Sequence, residues 1–193
     1  MRLLILFLLL TSSSLFAQKR DSVFVRTNIY EVMYSEKLEQ PIWVKYNVRC
    51  PDGNYPRKGM DFYTNDSIHT SDNLDYENDL YDKGHLAPAA DFNCDRATLL
   101  ITFSYLNCAL QNQYLNRGVW KKLEVYEREL AKNNPIVEIK ILCVYSKNSV
   151  KKSTGATVPD GFYKIITYSG KTLKFYFPNK KPVSDDYNAY LVK

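Results

Sequence analysis

Residues 81–91 read Tyr-Asp-Lys-Gly-His-Leu-Ala-Pro-Ala-Ala-Asp and hold one of only two histidines in the chain. Histidine is the side chain whose ordinary pKa, near 6.5, lets it take a proton at neutral pH. Downstream comes a second cluster: Asn107, Gln111, then Asn116-Arg117-Gly118-Val119-Trp120-Lys121-Lys122-Leu123-Glu124. Phosphodiester hydrolysis needs water deprotonated, the phosphate charge offset and the departing oxygen neutralised. A hard divalent cation serves the last two needs. Magnesium takes oxygen ligands and keeps most of its waters, so one Asn amide oxygen is a sufficient protein anchor. His85 and Asn116 are thus of the residue types this chemistry calls for, an imidazole and a neutral amide oxygen.

These residues need elements to carry them. Asn28 to Tyr34 reads as a strand and Ser35 to Pro41 as a turn. Ile42, Val44, Tyr46 and Val48 then alternate with polar residues, the period of a half-buried strand, which predicts an antiparallel hairpin. Cys50-Pro51-Asp52-Gly53-Asn54-Tyr55-Pro56 ends it with turn residues. Asp61 to Asp82 is polar and acidic, and reads as a long solvated loop. Its acidic spacing faintly suggests a calcium loop, but Leu80 stands where such a loop needs glycine. Asp95 to Ala109 predicts a short helix. Asn116 to Lys132 predicts a clearer one, with Val119, Trp120, Leu123, Tyr126 and Leu130 on one face and Asn133-Asn134-Pro135 as its stop. Ile136 to Tyr145, Gly161 to Tyr168 and Thr172 to Phe177 read as three further strands. The implied class is α+β with an antiparallel sheet core.

At 193 residues the chain favours one domain, and 45% apolar residues suffice for its core. The net charge of +5 permits a polyanionic partner without requiring one. Arg2, the apolar run Leu3 to Leu10 and the small residue Ala17 form a signal-peptide pattern. Cleavage is expected after Ala17, leaving residues 18–193 as a single exported domain, secreted or periplasmic. The apolar run is too short to span a bilayer, so no stable membrane insertion is expected. Cys50, Cys94, Cys108 and Cys143 admit three full pairings, and the sequence does not choose among them. Buried free thiols fit equally well.

The two clusters together resemble the DNA/RNA non-specific endonucleases, which belong to the ββα-metal (His-Me finger) nucleases. That family's Asp-Arg-Gly-His with an Ala-Pro-x-x-Asp tail is met by Asp82-Lys83-Gly84-His85 and Ala87 to Asp91. Its later Asn-x-Gly-x-Trp-x-x-Leu-Glu is met by Asn116 to Glu124. Arg57, Phe62 and Asp66 match an upstream element, and Val158-Pro159 to Lys164 and Pro178-Asn179 match later ones.

The resemblance implies His85 as general base, Asn116 as direct metal ligand and Glu124 holding a metal-bound water. It implies Arg57 on the phosphate and Asn107 orienting His85 or the phosphate. Asp82 would fix the motif's backbone, while Lys83 and Gln111 stand on the substrate side. The implied ion is Mg²⁺, with Mn²⁺ as an alternative. The implied partner is DNA and/or RNA read by backbone and shape. Lys83 replaces the family arginine and lacks its bidentate fork. Leu106 and Leu110 replace the family Ser and Pro.

Each residue also has an ordinary reading. Asn116 alone reads as the N-cap of its helix. Glu124, Lys121 and Lys122 read as surface helix charges, and Arg57 with Lys58 as a basic loop. His69 reads as a solvated or satisfied histidine. Two other functions fit the same residues: a nucleic-acid-binding protein that has lost turnover, and a phosphodiesterase for small substrates. The sequence does not set the oligomeric state.

Overall fold

The computed structural model describes residues 19–77 and 80–192. The expected signal peptide, residues 1–17, lies outside the described residues. Strands β1 (Val23–Arg26), β2 (Tyr30–Ser35), β3 (Gln40–Asn47), β6 (Val137–Val144), β7 (Gly161–Tyr168) and β8 (Lys171–Pro178) form one antiparallel sheet in that spatial order. Strands β4 (Tyr81–His85) and β5 (Cys108–Asn112) form a separate antiparallel ribbon. Helices α1 (Arg96–Thr102), α2 (Gln113–Leu115) and α3 (Lys121–Asn133) complete the α+β fold.

The sheet follows from alternation. Along β6, Val137, Ile139, Ile141 and Cys143 are buried while their neighbours are half-exposed. Phe162 and Ile166 of β7 and Phe175 and Phe177 of β8 extend the same buried face. Ser169 and Gly170, both at positive φ, join β7 to β8, as a two-residue hairpin demands. Helix α3 covers this face. The Trp120 ring just before it meets Phe162 and Phe177 edge-on, each at 5.5 Å, and Leu123 is fully buried.

Lys164 stands where the alternation calls for an apolar residue, between Phe162 and Ile166. It is fully buried, and its Nζ lies 2.9 Å from Oε1 of the equally buried Glu127 on α3 and 4.2 Å from the Trp120 ring centroid. A second pair, Arg128 Nη1 to Asp91 Oδ1 at 3.0 Å, ties the next α3 residue to the short turn Ala89–Asp91.

Several elements depart from the sequence-based expectations. Strand β1 is present, and β2 begins at Tyr30. The expected helix over Asp95 to Ala109 stops at Thr102, because the chain turns through Tyr105–Asn107 and enters β5 at Cys108. The acidic loop ends at Tyr81, where β4 begins. Asp75 within it is buried, not solvated. It accepts from Thr154 Oγ1 at 2.5 Å and from the Ala156 amide at 3.3 Å, pinning the loop around residues 152–156. Cys50 pairs with Cys94, leaving Cys108 and Cys143 as buried thiols. Among the described residues no helix is long and apolar enough to cross a membrane.

Removing one partner of a buried ion pair strands the other charge, whereas replacing both removes that penalty. Lys164→Met is expected to lower unfolding stability by about 3–5 kcal/mol, read by urea titration. The double variant Lys164→Met/Glu127→Leu is expected to recover most of that loss, and a double variant as unstable as the single one would contradict this account.

Candidate active site

The site is built on the ribbon and the helical segment that follows it. His85 ends β4 opposite Cys108, and Asp82 faces Gln111 across the ribbon. Gly84 is required by packing. A Cβ there would sit 2.5 Å from Gln111 Oε1 and 2.6 Å from Gln111 Cβ.

Residues 86–107 leave β4 and return to β5, and Asn107 closes them. Its Oδ1 accepts from the Ala87 amide at 2.7 Å, and its Nδ2 donates to the Ala87 and Thr102 carbonyls at 2.8 and 2.9 Å. Its backbone carbonyl accepts from Leu86 N at 2.9 Å. The Asn107 side chain is fully buried and fully engaged. It holds the chain just after His85, and no atom of its amide is left for a phosphate.

Asn116 is not the helix cap. The segment starts earlier, and Asn112 caps it, its Oδ1 accepting from Tyr114 N at 3.1 Å. Asn116 has helical φ/ψ and opens a π-helical turn, Asn116–Trp120, that contains the non-helical Gly118. This turn matters for aim. In a regular α-helix, residues 116 and 124 would point about 80° apart. Absorbing one extra residue in a π turn cuts that to about 20° and brings both side chains toward one face.

Asn116 Nδ2 donates to Asp82 Oδ2 at 2.8 Å. Arg117 grips the same carboxylate with two bonds, Nε to Oδ2 at 2.9 Å and Nη2 to Oδ1 at 2.5 Å. Asp82 thus ties Asn116 to β4, the strand that ends in His85. It fixes side chains rather than the motif's backbone, and with Arg117 upon it, it is not an open substrate contact. A carboxylate only accepts, so the amide must present its nitrogen to Asp82, which leaves Oδ1 as the atom to offer a hard cation.

His85 is packed between aromatic rings, with Phe62 at 4.7 Å and Phe103 at 4.9 Å between centroids. Its Nε2 is buried without a protein partner, while the residue as a whole is partly exposed. Burial, and secondly the charge of Arg57, push its pKa down to about 3. Arg57 itself is exposed. Glu124 is also deep in the protein yet partly open. Burial raises its pKa, opposed by Lys164, Arg128, the Trp120 indole and Arg57. The indole N–H lies toward Glu124 without forming a full hydrogen bond. The Arg57 charge therefore bears on both His85 and Glu124.

Lys83 lies two residues before His85 on β4, on the same face of the strand, and its ammonium is engaged by neighbours. Its Nζ bonds to Asn73 Oδ1 and, at 3.3 Å, to Asp61 Oδ1, and it lies 5.6 and 5.7 Å from the Phe62 and Tyr105 rings. Gln111 is fully buried, its amide without a partner. His69 lies elsewhere, its Nε2 2.8 Å from Glu39 Oε1, beside a cavity of about 740 Å³ that contains none of these residues.

Sequence reasoning gave no role to Arg117, although it sits inside the quoted motif beside Asn116. It also missed the buried group of Asp91, Glu127, Arg128 and Lys164. Asp91 is fully buried, and burial, followed by Glu127 and Glu124, raises its pKa to about 8 against the opposing pull of Arg128.

The sequence matches the family described as DNA/RNA non-specific endonuclease over residues 12–193. The chain belongs to that family. Among the proteins it resembles, mitochondrial endonuclease G of Bos taurus is 29% identical over 158 residues, covering 71% of this chain and 51% of that protein. The Homo sapiens protein is 29% identical over 157 residues, covering 71% and 52%. A nuclease of Nostoc sp. is 30% identical over 131 residues, covering 61% and 47%. The chain spans about half the length of these curated relatives. A crystal structure of the EndoG/EndoGI complex, which concerns EndoG inhibition, superposes with a TM-score of 0.79 at 26% identity, covering 88% of this chain and 80% of that one.

No group of three or more His, Cys, Asp or Glu suited to a metal occurs among the described residues. The donors present are of a different kind: the Asn116 amide oxygen, which the Asp82 bond leaves free, and the Glu124 carboxylate. Such donors suit a hard, largely hydrated cation.

A depressed pKa keeps His85 neutral well below pH 6.5. Its NMR titration in the metal-free protein is expected below the ordinary histidine value. Arg57→Ala is expected to move it upward by removing repulsion, but not to 6.5, because burial remains. With only two histidines, His69→Gln settles the assignment. A titration of His85 near 6.5 in the parent would contradict the geometry.

Proposed function

We propose that this chain is an exported, metal-dependent endonuclease that hydrolyses phosphodiester bonds of DNA and RNA with little sequence preference. The observation that carries the reading is the Asp82 carboxylate, which holds Asn116 on the strand that ends in His85. Family membership makes nuclease chemistry the expected use of that pairing. Export rests on the leader pattern and is supported by the Cys50–Cys94 disulfide, which suits an oxidising compartment.

The roles follow from the atoms. His85, neutral and half-open, takes the proton from the attacking water at Nδ1, since Nε2 is the enclosed nitrogen. Arg57, exposed at the rim, meets the phosphate oxygens and offsets their charge. Asn116 and Glu124 would hold Mg²⁺ or Mn²⁺, Asn116 through Oδ1 and Glu124 through a water. When bound, that ion would supply charge neutralisation at the phosphate and the departing oxygen. Asn107 keeps residues 86–107 folded behind His85. Asp82 and Arg117 keep the Asn116 amide from turning over. Glu127 and Arg128 set the rotation of α3, and with it the aim of Glu124.

The direct test is nicking of supercoiled plasmid. The parent is expected to nick with Mg²⁺ and to stop with EDTA. His85→Ala is expected to lose roughly 10²–10⁴-fold in rate, and Asn116→Ala to need more Mg²⁺ for half-maximal rate. Full-rate nicking by His85→Ala, or in EDTA, would sink the proposal. DNA retention on a gel without cleavage by the parent would favour a binding protein instead.

A further inference from the structure

We propose that Tyr114 is a stacking platform for an unpaired nucleobase of the substrate, with Lys180 and Lys181 on the adjoining phosphates. The proposal rests on the nuclease reading and adds a preference to it: single-stranded or locally opened nucleic acid over regular duplex.

Tyr114 lies on α2, two residues before Asn116, and its side chain is 51% exposed. A lone exposed aromatic is ordinary on a protein surface. This one is not alone. Lys181 Nζ lies 5.3 Å from its ring centroid. Lys180 is exposed beside it, and neither lysine has a carboxylate partner among the described residues. Arg117 is three residues on, and residues 114–117 are helical, so Tyr114 and Arg117 share a face. Arg117 in turn grips the carboxylate that holds Asn116. The ring therefore sits on the helical segment that leads directly into Asn116.

The platform is also held still. Asn179, next to the two lysines, donates from Nδ2 to the Leu110 and Pro159 carbonyls, each at 2.8 Å, and its Oδ1 accepts from Asn112 N at 2.7 Å. Asn112 then caps the helix that carries Tyr114. A segment from the far end of the sheet is thus stapled to the end of β5, which fixes the lysines against the ring.

An aromatic face interleaved with free cations, on rigid backbone, is what single-stranded nucleic acid binds. Every base has a π-face, and every linkage has a phosphate. A base must leave the duplex stack to use such a face, so the contact discriminates by strandedness and not by sequence.

The test uses His85→Ala as background, so that binding is read without cleavage. Labelled oligothymidylate, labelled oligouridylate and a DNA duplex of equal length are titrated by fluorescence anisotropy. Adding Tyr114→Ala is expected to weaken single-strand binding about tenfold while changing duplex binding less than about twofold. Tyr114→Phe is expected to bind like the background. Adding Lys181→Ala is expected to lower the slope of log K against log salt by about 0.7 on single strands. The two single-stranded probes report whether DNA or RNA bases use the platform. Unchanged single-strand affinity in Tyr114→Ala, or equal losses on single and double strands with an unchanged melting temperature, would overturn the proposal. A parent that binds these strands through Tyr114 yet never cuts them would overturn the nuclease reading and leave the platform standing.

Discussion

One carboxylate joins the two halves of this site. Asp82, on the strand that ends in His85, bonds the Asn116 side chain. Charge-assisted bonds are the strong ones, and Asp82 accepts three from two adjacent residues. Arg117 also neutralises it. Without that cation, an open aspartate beside Asn116 would compete for any nearby ion and add a negative charge where phosphate must approach. Behind this contact, the ribbon register is enforced sterically. Gln111 packs so closely on Gly84 that no other residue fits, and a one-residue slip would move Asp82 to the opposite face.

A second constraint lies under α3. Asp91, Glu124 and Glu127 crowd one buried region, and each is held above its ordinary carboxylate range chiefly by burial. Lys164 and Arg128 keep the group from excess negative charge. Buried pairs of this kind are weak sources of stability. Their use here is geometric. Glu127 is tied to β7 and Arg128 to the turn at Asp91, two adjacent helix residues fastened to two different elements. A helix held at two azimuths cannot roll, so Glu124, one turn earlier, keeps its aim into the cleft.

How much of this the sequence carried depends on the range of each signal. Strands β3, β6, β7 and β8 were legible because period-two alternation is local. Strand β1 was not, since Val23–Arg26 is short and half-exposed. Strand β4 hid in an acidic run because Tyr-Asp-Lys-Gly-His is polar and gains its pairing only from β5. The motif residues His85 and Asn116 could be picked out, but not the mechanics around them. Asn112 and Asn116 are equally good caps by type, and the π turn at Gly118 leaves no periodic trace. Lys164 and Glu127 each look like ordinary surface charges until the sheet brings β7 beneath α3. Asn107 was expected to orient His85 or the phosphate, and its side chain bonds the chain just after His85 instead. Its work on the backbone of Ala87 and Thr102 shows only once residues 86–107 have folded back.

The low proton affinity of His85 bears on how the cleft operates in this reading. A base with a pKa near 3 is a poor acceptor from water, and Brønsted behaviour favours one nearer the working pH. Of the two causes of the depression, burial and the Arg57 charge, the second is removable. A phosphate drawn onto Arg57 cancels the cation that repels a proton from the ring, and its own negative charge favours the imidazolium. Both effects raise the basicity of His85 when substrate is in place and leave it low when the cleft holds only water. Arg57 would thus couple binding to proton transfer, recruiting the anion whose arrival strengthens the base.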